Sequence, residues 1–210
     1  MIKILVIDDH VIIRKGLRQI LADTSDMQVA DEAGNGQEAL NKIDKNDYDL
    51  VLLDISLPGR CGMDLLKEIK SRKPRLSVLM LTMHPEEEYA MRALRSGASG
   101  YLTKESASEE LISAIRIISR GGKYINTSLA EKIACHLNAD QNMPSHESLS
   151  DREYEVLCLI ASGKPVKSIS DALSLSAKTI STYRSRILKK MNIKNNAEIT
   201  HYAIKNQLVQ

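Results

Sequence analysis

Short apolar runs alternate with amphipathic stretches from the start of the chain to about residue 120. Runs of four to eight residues that are rich in β-branched side chains and bounded by Asp, Gly or Pro predict β-strands. Five runs fit this description, at 3–8, 28–32, 49–54, 76–82 and 100–103. Apolar residues at helical spacing lie between several of them. Strands separated by helices predict a five-stranded parallel doubly wound sheet, with the strand order 2-1-3-4-5.

The pattern changes after this α/β part. A helix is predicted over 128–137, and the polar stretch 138–148 lacks periodicity and is typical of a linker. Ser150 and Glu153 have the spacing of a capping box, which predicts a helix that ends near Gly163.

Only helical spacing follows. Three more helices are predicted, at 166–173, 177–191 and 196–205, with a three-residue turn at 174–176. We therefore expect three parts: an α/β domain at 1–121, a linker with a short helix at 122–147 and an all-α four-helix domain at 148–210.

Composition and charge support a division into two domains. The 210 residues exceed the usual size of one domain, and 43% hydrophobic with 27% charged residues is typical of a soluble protein. Aromatic residues make up 3%, which disfavours stacking on single-stranded nucleic acid. Residues 148–210 contain ten Lys or Arg and five Asp or Glu, so they carry +5 and the rest of the chain −3. The basic part is the better candidate for a polyanionic partner.

The cysteines and the first residues bear on location. Cys61, Cys135 and Cys158 form no metal-ligand motif, and reduced structural thiols are expected. The apolar run 4–7 is too short for the core of a signal peptide, and no stretch has membrane-spanning length. We expect a cytoplasmic protein.

Acidic residues end two of the predicted strands. Asp8 and Asp9 end the first strand and Asp54 ends the third, and these strands are neighbours in the order 2-1-3-4-5. Neighbouring strands lie about 4.8 Å apart, so three carboxylates there require a cation or raised pKa values. Mg²⁺ prefers such oxygen ligands.

Two further residues reach the same edge. Thr82 ends the fourth strand and Lys104 follows the fifth, so a phosphoryl group on Asp54 has a hydroxyl donor and an ammonium nearby. Each residue alone fits a turn, a strand end or a solvated surface equally well. Their occurrence together at successive strand ends predicts a phosphoryl-accepting pocket with Asp54 as the nucleophile.

Residues 1–121 resemble the receiver domain of response regulators. The resemblance is carried by residues 4–9, 52–59, 81–82 and 97–104. It implies that Asp54 accepts a phosphoryl group from a partner histidine kinase. It also implies that Asp9, Asp54 and the Ser56 carbonyl bind Mg²⁺ directly, with Asp8 acting through water.

The same resemblance makes Thr82 and Tyr101 a switch pair, in which the hydroxyl moves to the phosphoryl oxygen and the aromatic ring turns inward. Tyr101 fits ordinary sheet packing equally well. Ser56 and His84 lie two residues beyond Asp54 and Thr82, where their side chains border the path of hydrolytic water. We expect them to influence the lifetime of the phosphoryl group.

The helix predicted at 177–191 has two different faces. Ile180, Tyr183, Ile187 and Met191 recur at spacings of three and four, which predicts a packed face. The opposite face carries small hydroxyl residues and cations, which suit base edges and phosphates. These residues are Lys178, Ser181, Thr182, Ser185 and Lys189. The helices at 166–173 and 177–191 have helix-turn-helix proportions, although an ordinary helical bundle shares that spacing.

Residues 148–202 resemble the LuxR-type domain of NarL/FixJ regulators, through 149–153, 155–157 and 178–184. The resemblance implies that bases are contacted by Ser181, Thr182 and Ser185, and phosphates by Lys178, Thr179, Arg184 and Lys189. It also implies pairing through the last helix, where Ile199, Tyr202 and Ala203 either form the contact or close the domain core. The stretch 164–169 departs from the usual start of the scaffold helix, which puts backbone contacts there in doubt, while Pro165 fits a first helical turn.

The sequence thus predicts a phosphorylation-controlled, DNA-binding transcriptional regulator that dimerises on phosphorylation, with Mg²⁺ as cofactor. RNA polymerase is a further candidate partner. Two other classes were weighed. A metal-dependent phosphatase is disfavoured because the segment from Asp54 to Ser56 lacks a second carboxylate and no glycine-rich phosphate loop is present. A protein-interaction adaptor that never meets DNA remains open.

Overall fold

The computed structural model of the chain describes residues 1–83, 86–126, 130, 145–206 and 208–209. The chain forms two compact units, Met1–Asn138 and Ala139–Gln210. Among the described residues, no helix combines the length and the apolar composition needed to cross a membrane. The predicted helix at 128–137 lies outside the described residues apart from Ala130, as do Cys135 and His84.

A five-stranded parallel sheet forms the centre of the first unit. Numbered within this sheet, the strands are β1 (Ile2–Ile7), β2 (Met27–Ala33), β3 (Leu50–Asp54), β4 (Ser77–Thr82) and β5 (Gly100–Thr103). Their order is β2-β1-β3-β4-β5, which confirms the predicted topology. The strand that follows β1 is added on one side of it, and β3 is added on the other side. The carboxyl ends of β1 and β3 therefore lie side by side.

Helices cover both faces of the sheet. They are α1 (Val11–Ala22), α2 (Gly36–Lys45), α3 (Gly62–Arg72), α4 (Glu86–Arg95) and α5 (Ala107–Ser119). Alternate strand residues point to opposite faces, so one core contains Val6 and Leu52 with Leu17 of α1 and Ile115 of α5. Burial on both faces explains why the strands are continuous apolar runs and do not alternate with polar residues.

A short hairpin between β3 and α3 was not predicted. Ser56–Leu57 pairs antiparallel with Arg60–Cys61, and Gly59 turns between them with φ of 73°. Strands of two residues are too short to produce a periodic signal. The hairpin brings the N–H of Gly62 to the carbonyl of Ile55, at 2.8 Å, so the start of α3 lies against the backbone that follows Asp54.

Among its described residues, the second unit contains four α-helices; three have the predicted bounds, and the first ends at Ala161, two residues before the predicted end near Gly163. They are α6 (Asp151–Ala161), α7 (Val166–Leu173), α8 (Ala177–Met191) and α9 (Asn196–Lys205). The predicted capping box is present, since Ser150 and Glu153 exchange side-chain-to-backbone hydrogen bonds. Pro165 is the residue before α7 and not part of its first turn.

The stretch 138–148 was expected to be an irregular linker, but its end is structured. Ser145–Ser148 forms a 3₁₀-helix. His146 is buried there, and its Nδ1 lies 2.7 Å from the hydroxyl of Tyr202 on α9. This contact spans 56 residues, so no local pattern predicts it.

The helix-turn-helix geometry follows from two caps. Ser174 adopts the left-handed conformation, with φ of 52°, and ends α7. The Ser176 side chain accepts a hydrogen bond from the N–H of Thr179 and begins α8. Ile169 and Ile180 are fully buried between the two helices and the rest of the unit.

Two glycine substitutions test the packing beside Asp54. A Cβ on Gly62 would lie 2.1 Å from the carbonyl oxygen of Asp54, whereas a Cβ on Gly16 of α1 meets nothing within 4 Å. We expect Gly62→Ala to destabilise the protein by more than about 2 kcal/mol, because backbone must move. Gly16→Ala should stabilise it by roughly 0.5–1 kcal/mol. Urea denaturation measures both, and a Gly62→Ala protein as stable as the wild type would contradict this packing.

Candidate phosphoryl-accepting and nucleic-acid-binding sites

Two buried carboxylates share one ammonium at the carboxyl edge of the sheet. Asp8 follows β1 and Asp54 ends β3, and each is 2% exposed. The Nζ of Lys104 lies 2.7 Å from Oδ2 of Asp8 and 2.7 Å from Oδ2 of Asp54. The structure thus brings together three of the residues that the sequence singled out, from three different strand ends.

Burial dominates the electrostatics of this cluster. It raises the pKa of Asp54, and the neighbouring Asp8 carboxylate acts in the same direction, while the hydrogen bond from Lys104 only partly opposes them. For Lys104, burial alone would lower the pKa, but the two carboxylates outweigh it and raise the pKa above its usual value. The two carboxylates therefore favour the charged form of Lys104, whereas Lys104 only partly offsets the cost of a charge on Asp54.

Asp9 and His10 lie at the mouth of the cluster. Nδ1 of His10 is 2.8 Å from Oδ1 of Asp9, and the backbone N–H of His10 donates to Oδ1 of Asp8 at 2.8 Å. The side chain of Asp9 is 33% exposed and that of His10 is 64% exposed. Sequence reasoning missed His10, although its position directly after the acidic pair was the available signal.

The donor set of the cluster fits a hard divalent cation. One ligand atom each from Asp8, Asp9, His10 and Asp54 lies within 4.8 Å of the others. Mg²⁺ binds oxygen at about 2.1 Å, so ligands on opposite sides of the ion are about 4.2 Å apart. The backbone N–H of Ser56 donates to Oδ1 of Asp54 at 3.3 Å, which places the Ser56 backbone beside the same carboxylate.

Thr82 lies on β4, the strand next to β3, and Tyr101 lies on β5, one strand further from β3. Thr82 ends β4 and is fully buried, and its carbonyl accepts the N–H of Lys104 at 2.7 Å. Tyr101 pairs with Met80 across β4 and β5 and is 1% exposed, so its ring is inside the unit. The two predicted switch residues therefore sit on adjacent strands.

The predicted DNA-reading face of α8 is exposed. Lys178, Ser181, Thr182, Ser185 and Lys189 all face solvent. The three hydroxyl groups donate to helix carbonyls four residues earlier, at 2.9 to 3.0 Å. These bonds use the hydroxyl protons and leave the oxygen lone pairs to accept from base edges.

Two predicted phosphate contacts have other partners. The Nε of Arg184 donates to Oδ1 of Asn196 at 2.6 Å, which ties α8 to the start of α9. Thr179 is half-buried, and its hydroxyl lies 2.8 Å from that of Ser176 in the cap of α8.

The last helix closes the core of the second unit. Ile199 and Ala203 are fully buried, and Tyr202 contacts His146. Ile199 and Ala203 therefore close the domain core, while Tyr202 is half-buried. Ile204 is the exposed apolar residue of α9, at 58%.

Comparison with protein families matches both parts of the chain. Residues 4–116 match the response regulator receiver domain, and residues 147–203 match the bacterial regulatory proteins of the luxR family. The fold and the two sites thus define a protein that joins a receiver domain to a LuxR-type helix-turn-helix domain.

Individual proteins agree over nearly the full length. Response regulator UvrY of Escherichia coli K12 is 36% identical over 209 residues, covering 99% of this chain and 96% of UvrY. The oxygen regulatory protein NreC of Staphylococcus carnosus is 37% identical over 214 residues, covering 99% of each.

A solved structure is also similar. RcsB of Salmonella enterica serovar Typhimurium, bound to the promoter rprA in the presence of phosphomimetic BeF₃⁻, has a TM-score of 0.66 and 28% identity, covering 96% of this chain and 98% of RcsB. The chain belongs to the NarL/FixJ family of two-component response regulators.

The electrostatics of Asp54 predict a gain in stability when its charge is removed. Because the pKa of Asp54 is raised in the fold above its ordinary value of 3.8, ionisation of Asp54 disfavours folding at neutral pH. Asp54→Asn should raise the free energy of unfolding there, by an amount on the order of 1 kcal/mol. The gain should shrink as pH falls toward the ordinary pKa.

Urea denaturation with chelator at several pH values measures this difference. Asp23→Asn, which changes an exposed carboxylate after α1, is the control and should show no such pH-dependent gain. An Asp54→Asn protein less stable than the wild type at neutral pH would show that the Lys104 pair outweighs the cost of burial.

Proposed function

We propose that this response regulator accepts a phosphoryl group on Asp54 from a sensor histidine kinase and thereby controls its binding to promoter DNA. The observation that carries the proposal is the pair of buried carboxylates, Asp8 and Asp54, that share Lys104 at the switch point of the sheet. A nucleophilic carboxylate, a fixed cation and a cation-binding mouth are the parts that phosphoryl transfer requires.

Each residue of the pocket has one role in this proposal. Asp9, Asp54 and the Ser56 carbonyl would hold Mg²⁺ directly, and Asp8 would act through water. Bound there, Mg²⁺ would neutralise the charge that develops on the phosphoryl oxygens. Lys104 pairs with the phosphoryl group once Asp54 carries it, because that group then holds the charge nearest to its Nζ.

Thr82 and Tyr101 transmit the event within the receiver domain. The Thr82 hydroxyl moves toward a phosphoryl oxygen, and the ring of Tyr101 occupies the inward position that this movement permits. Phosphorylation shifts the receiver domain between two conformational states. The size of the shift depends on how much more strongly one state interacts with the phosphoryl group than the other.

In the second domain, α8 enters the major groove. Ser181, Thr182 and Ser185 contact base edges, while Lys178, Thr179, Arg184 and Lys189 hold phosphates. The Arg184 side chain is already held by its hydrogen bond to Asn196, which lowers the entropy cost of ordering it on a phosphate.

The remaining assignments complete the proposal. The receiver domain spans 1–121, the linker 122–147 and the DNA-binding domain 148–210. The chain works in the cytoplasm as a homodimer when phosphorylated, contacts RNA polymerase at promoters and catalyses only its own phosphorylation and dephosphorylation.

Selection of DNA fragments tests the proposal as a whole. Purified wild-type protein with Mg²⁺ and a small phosphodonor should select a two-fold motif, and the phosphodonor should strengthen this selection. The phosphodonor should leave Asp54→Asn unaffected. Selection that ignores Asp54 would remove phosphorylation control, and no selection by either protein would favour the adaptor.

The salt dependence of binding tests the role of α8. Loss of one phosphate contact lowers the slope of log affinity against log salt by about 0.9. Lys178→Ala should show this change on specific and random DNA alike. The control is Lys205→Ala on α9, an exposed cation outside the proposed contact set. Equal slopes for both variants and the wild type would place Lys178 away from the DNA.

A further inference from the structure

A guanidinium on α1 reaches back to the turn that carries the acidic residues. Nη1 of Arg14 donates to the backbone carbonyl of Asp8 at 2.7 Å. Nε of the same side chain donates to Oε2 of Glu32 on β2 at 3.0 Å. One planar group therefore ties α1, β2 and the turn after β1 in a fixed geometry.

This bond falls where the strand no longer holds the backbone. β1 ends at Ile7, and the N–H of Asp8 donates to the carbonyl of Ala33 at 3.1 Å. The next peptide group, which joins Asp8 to Asp9, lies beyond the sheet ladder. Its carbonyl is the one that Arg14 holds. The direction of this peptide decides where the Asp9 side chain starts.

The environment of Arg14 fixes the guanidinium in turn. Its side chain is 14% exposed and that of Glu32 is 23% exposed. Burial raises the pKa of Glu32, but hydrogen bonds from Arg18 and Arg14 outweigh it and lower the pKa below its usual value. Glu32 is thus ionised. Lys42 also donates to the Glu32 carbonyl.

Arg18 provides a natural comparison. Its Nε donates to the other oxygen of Glu32, Oε1, at 2.8 Å, and its side chain is 57% exposed. Arg14 and Arg18 therefore lie on the same helix, bind the same carboxylate and each carry one positive charge. Within the described part of the chain, the hydrogen bonds found for Arg18 go to Glu32, whereas Arg14 also holds the acidic turn.

We propose that Arg14 is a positioning residue for the divalent cation: by holding the Asp8 carbonyl, it orients Asp9 toward the ion. The proposal rests on the proposed function, in which Asp9 is a direct ligand. Groups that orient metal ligands contribute about 10–100-fold to metal affinity. Arg14→Gln should weaken cation binding by about tenfold.

Electrostatics alone predicts the opposite sign. Arg14 is a positive charge near a cation site, so its removal would tighten cation binding if Coulomb repulsion were its main effect. Weaker binding in Arg14→Gln therefore separates positioning from charge. Arg18→Gln removes the same charge from the same carboxylate and serves as the matched control.

The experiment is a Mn²⁺ titration of the unphosphorylated full-length chain, followed by paramagnetic resonance of free Mn²⁺, with Mg²⁺ as competitor. We expect the wild type and Arg18→Gln to bind alike and Arg14→Gln to bind more weakly. Equal affinity of all three proteins, or an equal loss in both variants, would overturn the proposal. If Asp54→Asn binds Mn²⁺ as tightly as the wild type, the cation site does not involve Asp54. That outcome would overturn the proposed function instead.

A charge-conserving pair guards against loss of folding. Arg14→Lys and Arg18→Lys both keep the positive charge, but one ammonium cannot hold the Asp8 carbonyl and Glu32 in the fork geometry of Arg14. We expect weaker Mn²⁺ binding for Arg14→Lys only. Thermal melting in chelator should be similar for the two variants, and Mn²⁺ affinities that merely follow the melting temperatures would contradict a positioning role.

Discussion

The salt bridge of Lys104 with Asp8 and Asp54 is the constraint on which the receiver domain depends. Two buried carboxylates at neighbouring strand ends repel each other, and burial strengthens that repulsion because little water screens it. A single ammonium within 2.7 Å of both makes the arrangement tolerable without removing its cost. The result is a pocket in which two carboxylates are compensated by one ammonium only in part.

The strand order places the two repelling carboxylates at the edge of the sheet where ligands bind in this type of fold. β1 and β3 are neighbours because the chain crosses over between them, and Lys104 reaches the pocket from the end of β5. Thr82 ends β4, which lies between β3 and β5, and Tyr101 lies on β5 itself. The apolar runs that build the strands therefore also fix the spacing of the polar residues at their ends.

Sequence patterns predicted the sheet, the helices of the second unit and the acidic cluster well because each signal was local. The alternation of strands and helices predicted a parallel doubly wound sheet, and α7, α8 and α9 have the predicted bounds, while α6 ends two residues before the predicted end. The acidic cluster was predictable because strand ends are visible in the sequence. The contacts that were missed join residues of different elements: His146 with Tyr202, Arg184 with Asn196 and Arg14 with the carbonyl of Asp8. The first two pairs depend on helix packing, which periodicity does not specify.

Two of the missed contacts hold a predicted functional side chain, or the backbone turn that carries one, from outside its own element. Asn196 braces Arg184 on the DNA-reading helix, and Arg14 braces the turn that carries Asp9. Long charged side chains lose much conformational entropy when they bind a ligand, so a brace formed on folding lowers that loss at the moment of binding. In each domain, a partner outside the motif therefore holds a residue that the motif names or the turn that carries one.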